Sequence, residues 1–264
     1  MLIICIQKCL SIYSNFHVFL LFTESVDQAL SASEHRILRD LKAALPRLAA
    51  PSKQVIRNLF SSLRSSLMDT EEGIIENALN IYWDELFPVV YHNAVHQRLA
   101  PFSDSYTDCL RRSRKEVGPW GTLPNVIGTP LVQGLETARL MFHALTVGAD
   151  IVAKAHNFEV PEECGEPAAK MYFCGACHGA LDPPCSGLCL NVARGCLAPL
   201  AEIDGAWSDL AGAVGRIEES LKTVRLAYYL HELPERLLEA VLYSMETGPK
   251  LHKKVRLSSY FDYF

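Results

Sequence analysis

The chain has 264 residues, room for one or two domains with a sizeable core. Its 25 Lys and Arg against 30 Asp and Glu leave a formal charge of −5, which excludes a generally basic nucleic-acid binder but not a local basic patch. With 49% apolar residues, 15 Gly and 14 Pro, it is neither a disordered nor a collagen-like chain.

No apolar run reaches the roughly 18 residues of a membrane-spanning helix. Residues 1–22 carry two short apolar runs, Leu2–Ile6 and Phe16–Phe22, around a polar stretch with Lys8 inside it. A secretory signal begins basic and continues with one unbroken apolar run of roughly 7–15 residues. The segment therefore reads as an atypical N-terminus or a poor signal peptide. From Thr23 onward the apolar spacing is helical almost throughout. Thr23 or Ser25 can cap a helix to Leu45, which Pro46 ends. Pro51 suits the first turn of a helix over Ser52–Met68. Ile74, Ile75, Ala78, Leu79, Tyr82, Leu86 and Val89 keep a 3–4 spacing, with Pro88 expected to kink or end the helix. Ser103 and Asp104 can cap Tyr106–Val117, and Gly118-Pro119 stops it. Gly121–Pro130 reads as a loop. Leu131, Leu135, Ala138, Phe142, Leu145, Ile151 and Val152 form the clearest apolar stripe, expected to pack as core in preference to forming a groove. Pro161 opens a short helix. Gly205 to about Met245 reads as two helices broken near Leu233-Pro234. No strand alternation and no internal repeat is found, so the expected class is all-α.

Six of the nine cysteines fall between Cys164 and Cys196. They read Cys164-x9-Cys174-x2-Cys177-x7-Cys185-x3-Cys189-x6-Cys196. Crowded cysteines flanked by Pro and Gly suit the disulfides of a secreted module. Cys174, Cys177, Cys185 and Cys189 could alternatively offer four thiolates to zinc in an intracellular all-α interaction module, with His178 as a substitute ligand. The gap between those pairs is short for a ribbon-type site. A Cys-x-x-Cys redox site would need a βαβ setting that this sequence lacks. Cys185, Cys189 and Cys196 fall on one helix face, an arrangement suited to stapling neighbouring segments.

The run Cys174-Gly-Ala-Cys177-His-Gly, followed by Pro184-Cys-Ser-Gly-Leu-Cys189-Leu-Asn-Val-Ala-Arg-Gly-Cys196-Leu-Ala, closely resembles the cysteine-rich signature of the glypican family. Ile203-Asp-Gly-Ala-Trp207 looks like that family's acidic turn before a tryptophan-bearing helix. Leu86-Phe-Pro-Val-Val-Tyr91-His resembles its Leu-Phe-Pro helix, and Tyr106 to Pro124 its single-cysteine helix and following loop. The resemblance covers roughly Val55 to Leu251 and leans towards the subgroup containing the insect Dally proteins. It implies an elongated, disulfide-stapled all-α core without catalysis or cofactor. It implies a GPI anchor and heparan sulfate chains on the intact protein. The implied role is that of a co-receptor at the extracellular face of the plasma membrane, holding Wnt, Hedgehog, BMP and FGF ligands near their receptors.

Within this resemblance, Cys164 and Cys196 pair with each other. Cys174 and Cys177 pair with an N-terminal cluster, and Cys109, Cys185 and Cys189 with residues beyond this chain's end. The sequence departs from the family pattern at both ends. Cys5-x3-Cys9 does not reproduce the N-terminal cysteine cluster. Phe264 comes before the family's remaining cysteines, convertase-cleaved loop, Ser-Gly attachment region and anchor signal. The chain is therefore read as 1–22 atypical, 23–252 partial core with the cysteine-rich segment 164–196, and 253–264 an aberrant tail.

Other constellations are weaker. His92 and His96 sit four apart, but Asn93 stands where a zincin needs Glu, so no metal site is expected there. Arg111, Arg112, Arg114 and Lys115 form a basic run suited to sulfated sugar, with a solvated helix face as the plainer reading. Ser186-Gly187 lies between two cysteines with no acidic cluster beside it, so no glycosaminoglycan attachment is expected. Trp83, Trp120 and Trp207 read as core or loop anchors.

Overall fold

Four helices pack on one central helix, which buries apolar residues on more than one side. The computed structural model describes residues 2–95, 100–156, 159, 161–177, 186–198 and 202–261. In chain order the helices are α1 (Leu2–Ala44), α2 (Pro46–Ser66), α3 (Ile74–Val95), α4 (Asp104–Val117) and α5 (Leu123–His156). A 3-10 turn over Glu162–Cys164 follows, then α6 (Gly165–Cys177), α7 (Ser186–Cys196), α8 (Asp204–Val224), α9 (Leu226–Glu246) and α10 (Gly248–Phe261). No strand occurs among the described residues. No described helix is long and apolar enough to cross a membrane. The chain divides into two compact units. One comprises Met1–Phe22 and Met141–Glu218, the other Thr23–Leu140 and Glu219–Phe264.

In the larger unit α2, α4, α9 and α10 all pack on α3. That explains why α3 buries Ile75, Leu79, Tyr82, Trp83, Leu86, Phe87, Val90 and Tyr91 on more than one face, while Glu76, Asn77 and Ile81 stay exposed. Trp83 packs tilted against Trp120 at 5.3 Å between ring centroids, and Phe87 meets Trp120 at 6.5 Å. Burial pushes the phenols of Tyr82 and Tyr91 well above their usual titration range, so both stay neutral. Arg139, itself buried, donates from Nη1 to the Glu71 carbonyl at 2.7 Å and ties the α2–α3 connection to α5. α1 is joined to α2 through Arg64, whose guanidinium reaches Glu34 at 2.7 Å and Asp27 at 3.2 Å.

Ser103 accepts from the Tyr106 amide as the N-cap of α4, and Gly118 closes that helix in the left-handed conformation at φ 58°. Other boundaries differ from the sequence-based expectation. The backbone of α1 is continuous through Thr23 and Ser25, so neither residue acts as a cap. A capping side chain starts a helix only where the preceding backbone leaves it. Pro51, Pro88 and Pro234 all lie inside helices that continue past them. Pro88 and Pro234 are buried in the larger unit, where packing of the ring and its neighbours offsets the one hydrogen bond a proline removes. The expected loop Gly121–Pro130 is instead the first turns of α5, from Leu123, with Ile127 in the core and Pro130 inside the helix. The break between the last long helices falls at Arg225, in the left-handed region at φ 54°, and not at Leu233-Pro234. There the first turn of α9 crosses α5 at Gly134, where a Cβ would lie 2.8 Å from the Leu226 side chain.

In the smaller unit the 3-10 turn, α6 and α7 pack together, and Cys164 is bonded to Cys196 with their Cα atoms 5.7 Å apart. The bridge joins the turn that Pro161 opens to the last residue of α7.

Candidate functional site

The second half of α5 and the first four turns of α8 face each other across an apolar cleft of about 250 Å³ in the smaller unit. On α5 it is lined by Ala144, Leu145, Gly148, Ala149 and Val152, which recur every three to four residues and so share one face. On α8 the lining is Trp207, Leu210, Ala211, Val214, Gly215 and Glu218, again one face. Small residues on both helices keep the floor low, while Leu145, Val152, Trp207 and Leu210 supply the walls. The helices come near each other at Gly148, where a Cβ would meet Leu210 at 3.9 Å, an ordinary van der Waals distance. No residue of α8 is fully buried, so its apolar face stays half open.

The stripe expected to be core along α5 thus divides. Leu131, Leu135 and Ala138 are completely buried in the larger unit. Leu145 and Val152, on the same helix, are half-buried and line the cleft. Trp83 and Trp120 are core residues as expected, whereas Trp207 is half-buried at the cleft. Sequence reading ranks core packing above a groove for the α5 stripe and does not single out α8, because a groove and a packed seam share one apolar periodicity. The signal available was the density of Ala and Gly along both helices, which marks close approach without full closure.

The structure separates the basic run. Arg111 pairs with Glu85 at 2.9 Å and with Asp108 at 2.6 Å. Arg114 is buried, with Nε 2.5 Å from Asp84 and Nη2 donating to the Asn80 side-chain oxygen at 3.4 Å. Arg112 and Lys115 stay exposed. The run is therefore divided, with Arg111 and Arg114 paired towards α3 and Arg112 and Lys115 exposed, because helical geometry places residues three apart on one side. Replacing Arg114 by alanine should destabilise the protein by about 2–3 kcal/mol, since Asp84 and Asn80 lose a partner beside the core. The same change at Arg112 should stay within about 0.5 kcal/mol. Urea unfolding of both variants checks the contrast.

Cys109 and Cys189 are half-buried thiols on α4 and α7. Cys185 and the side chains of Cys174 and Cys177 lie outside the described residues, as do His96, His178, residues 1–20 as side chains and the end of the 253–264 segment. His92 faces the Ala100 carbonyl at 3.2 Å and packs edge-on against Phe102 at 4.9 Å. Ser186 and Gly187 are exposed at the start of α7. No cluster of metal-ligating side chains occurs among the described residues.

A family model described as Glypican matches residues 12–258. Human Glypican-5 is 30% identical over 182 residues, covering 68% of this chain and 32% of that protein. The chain thus spans about a third of that relative's length. Two solved structures share the fold. A full-length glypican-1 core protein superposes with a TM-score of 0.75 at 24% identity, covering 94% of this chain and 58% of the other. A Dally-like protein solved in complex with O-palmitoleoyl serine gives a TM-score of 0.66 at 21% identity, covering 92% of this chain and 58% of its own. With the cysteine run of α6 and α7, the Leu-Phe-Pro turn of α3 and a match across most of its length, the chain belongs to the glypican family.

Proposed function

We propose that this chain is the ligand-holding helical core of a GPI-anchored heparan sulfate proteoglycan. The intact protein would act outside the plasma membrane as a co-receptor for Wnt, Hedgehog, BMP and FGF ligands and their receptors. The observation that carries this reading is the apolar cleft between α5 and α8. Its volume of about 250 Å³ lies just under the roughly 300–1,000 Å³ usual for small-molecule sites, which suits part of an acyl chain better than a whole cofactor. Each buried methylene contributes about 0.8 kcal/mol, so even a partly inserted lipid would be held. A related fold is known with O-palmitoleoyl serine bound, which supports a lipid-modified ligand here. The lining supports binding in preference to catalysis, because Glu218 is the only ionisable residue among the described residues that line it.

Titration with O-palmitoleoyl serine, followed by the emission of Trp207, tests this reading. The expected result is saturable binding that weakens about tenfold or more when G148L and A211F fill the floor, with no response to serine alone. Equal binding by the filled variant would overturn the assignment.

A further inference from the structure

With Arg111 and Arg114 neutralised by their carboxylate partners, a different basic surface remains on the larger unit. Arg112 and Lys115 are exposed on α4, and α10 packs beside that helix with Lys250, Lys253 and Lys254 exposed. The junction is anchored where Lys254 Nζ donates to the Val117 carbonyl at 3.0 Å. That places the ammonium at the C-terminal end of α4, in the turn that carries Lys115, where the helix dipole favours a cation. Lys250 and Lys253 lie within one turn of Lys254 along α10. Residues 248–261 contain no Asp or Glu. The exposed carboxylates within one turn of Arg112 on α4 are Asp108, which pairs with Arg111, and Glu116.

We propose that this α4–α10 face, centred on Arg112, Lys115, Lys250, Lys253 and Lys254, binds a hydrophilic linear polyanion of the sulfated polysaccharide class. Among the described residues of α4 and α10 no exposed large apolar residue offers a lipid anchor, which favours a hydrophilic ligand over a bilayer surface. Among its described residues the face offers no exposed aromatic ring for base stacking, which favours a ligand held by charge over a nucleic acid. The described residues of the face offer charge, spread along two helices and suited to closely spaced sulfates. This site is independent of the lipid-binding reading, since it uses the larger unit only.

The probe is immobilised heparin, run with the unmodified chain across a salt series. The expected result is retention at low salt and release at moderate salt, because screening and counterion uptake oppose binding. The variant R112Q/K250Q/K253Q should elute earlier, with affinity lowered about tenfold or more and the log–log salt slope reduced by about two to three. The single K253Q should reduce the slope by about one. A control triple at exposed cations elsewhere, K42Q/K53Q/R57Q, should elute as the parent does. Far-UV circular dichroism shows whether each variant keeps its helices, and K253Q carries the test should the triple unfold. Failure of the parent to be retained would mean a merely solvated face and overturn the proposal. Equal shifts in the patch and control triples would reduce it to net charge and also overturn it. Equal retention on desulfated heparin, or binding to phosphatidylserine vesicles without heparin retention, would overturn the assigned ligand class.

Discussion

Trp83→Ala should cost about 3–5 kcal/mol of stability, among the largest effects of any single substitution in this chain. Trp83 is 2% exposed and lies where α3 meets the segment that carries Trp120. Its ring also meets Tyr82 at 4.8 Å between centroids. Removing the indole leaves a cavity that α2, α4, α9 and α10 cannot all collapse into, because each is already seated on α3. Aromatic pairing adds about 0.5–1.5 kcal/mol to the area lost. Trp207→Ala supplies the comparison. Half exposed at an open cleft, it should cost under about 1.5 kcal/mol while weakening acyl-chain binding. Denaturant unfolding of the two variants decides the matter, and similar losses would contradict the division of the tryptophans into core and cleft.

The second large effect is expected from C164S/C196S. The bridge spans 32 positions, and the loop-closure relation gives about 3–4 kcal/mol of stabilisation through the unfolded state. Both cysteines are buried, so part of the change will also come from two hydroxyls placed where sulfur was packed. The effect should be concentrated in the smaller unit, where few of the described apolar side chains of the turn, α6 and α7 are fully buried. Limited proteolysis should therefore cut between residues 164 and 196 in the variant at least tenfold faster than in the oxidised parent, which 1.4 kcal/mol would already produce if cleavage follows local opening. Unchanged cleavage within that segment would show that helix packing alone maintains it.

Much of the architecture was legible in the order of residues. Local rules identify the all-α class from 3–4 spacing, the start of α4 from Ser103 and its end from Gly118. The Cys-Ser-Gly-Leu-Cys-Leu-Asn-Val-Ala-Arg-Gly-Cys run carries the family by itself, because so many specified positions leave little room for coincidence. The prolines show the limit of such rules. Pro88 and Pro234 are breaking residues in isolation, yet each lies inside a continuous helix, because its cost is set against burial that depends on helices distant in the chain. Gly121–Pro130 was misread for the same reason: its Gly and Pro content signals a loop locally, while Ile127 and Leu131 bury into the larger unit and hold the segment helical.

The sequence by itself therefore determined the helical class, the cysteine signature with its family, and the caps whose bonds run between near neighbours. Tertiary structure alone decided which apolar faces are covered and which charges remain available. Along α5 one uninterrupted pattern serves as core at Leu135 and as cleft wall at Leu145, depending on what packs opposite. Along α4 four consecutive-looking cations become two ion-paired residues and two exposed ones, because Asp84 and Glu85 approach from α3. Periodicity records which side of a helix a residue occupies. Whether that side meets another helix, a carboxylate or solvent depends on segments tens of residues away, whose approach is governed by packing and not by local propensity.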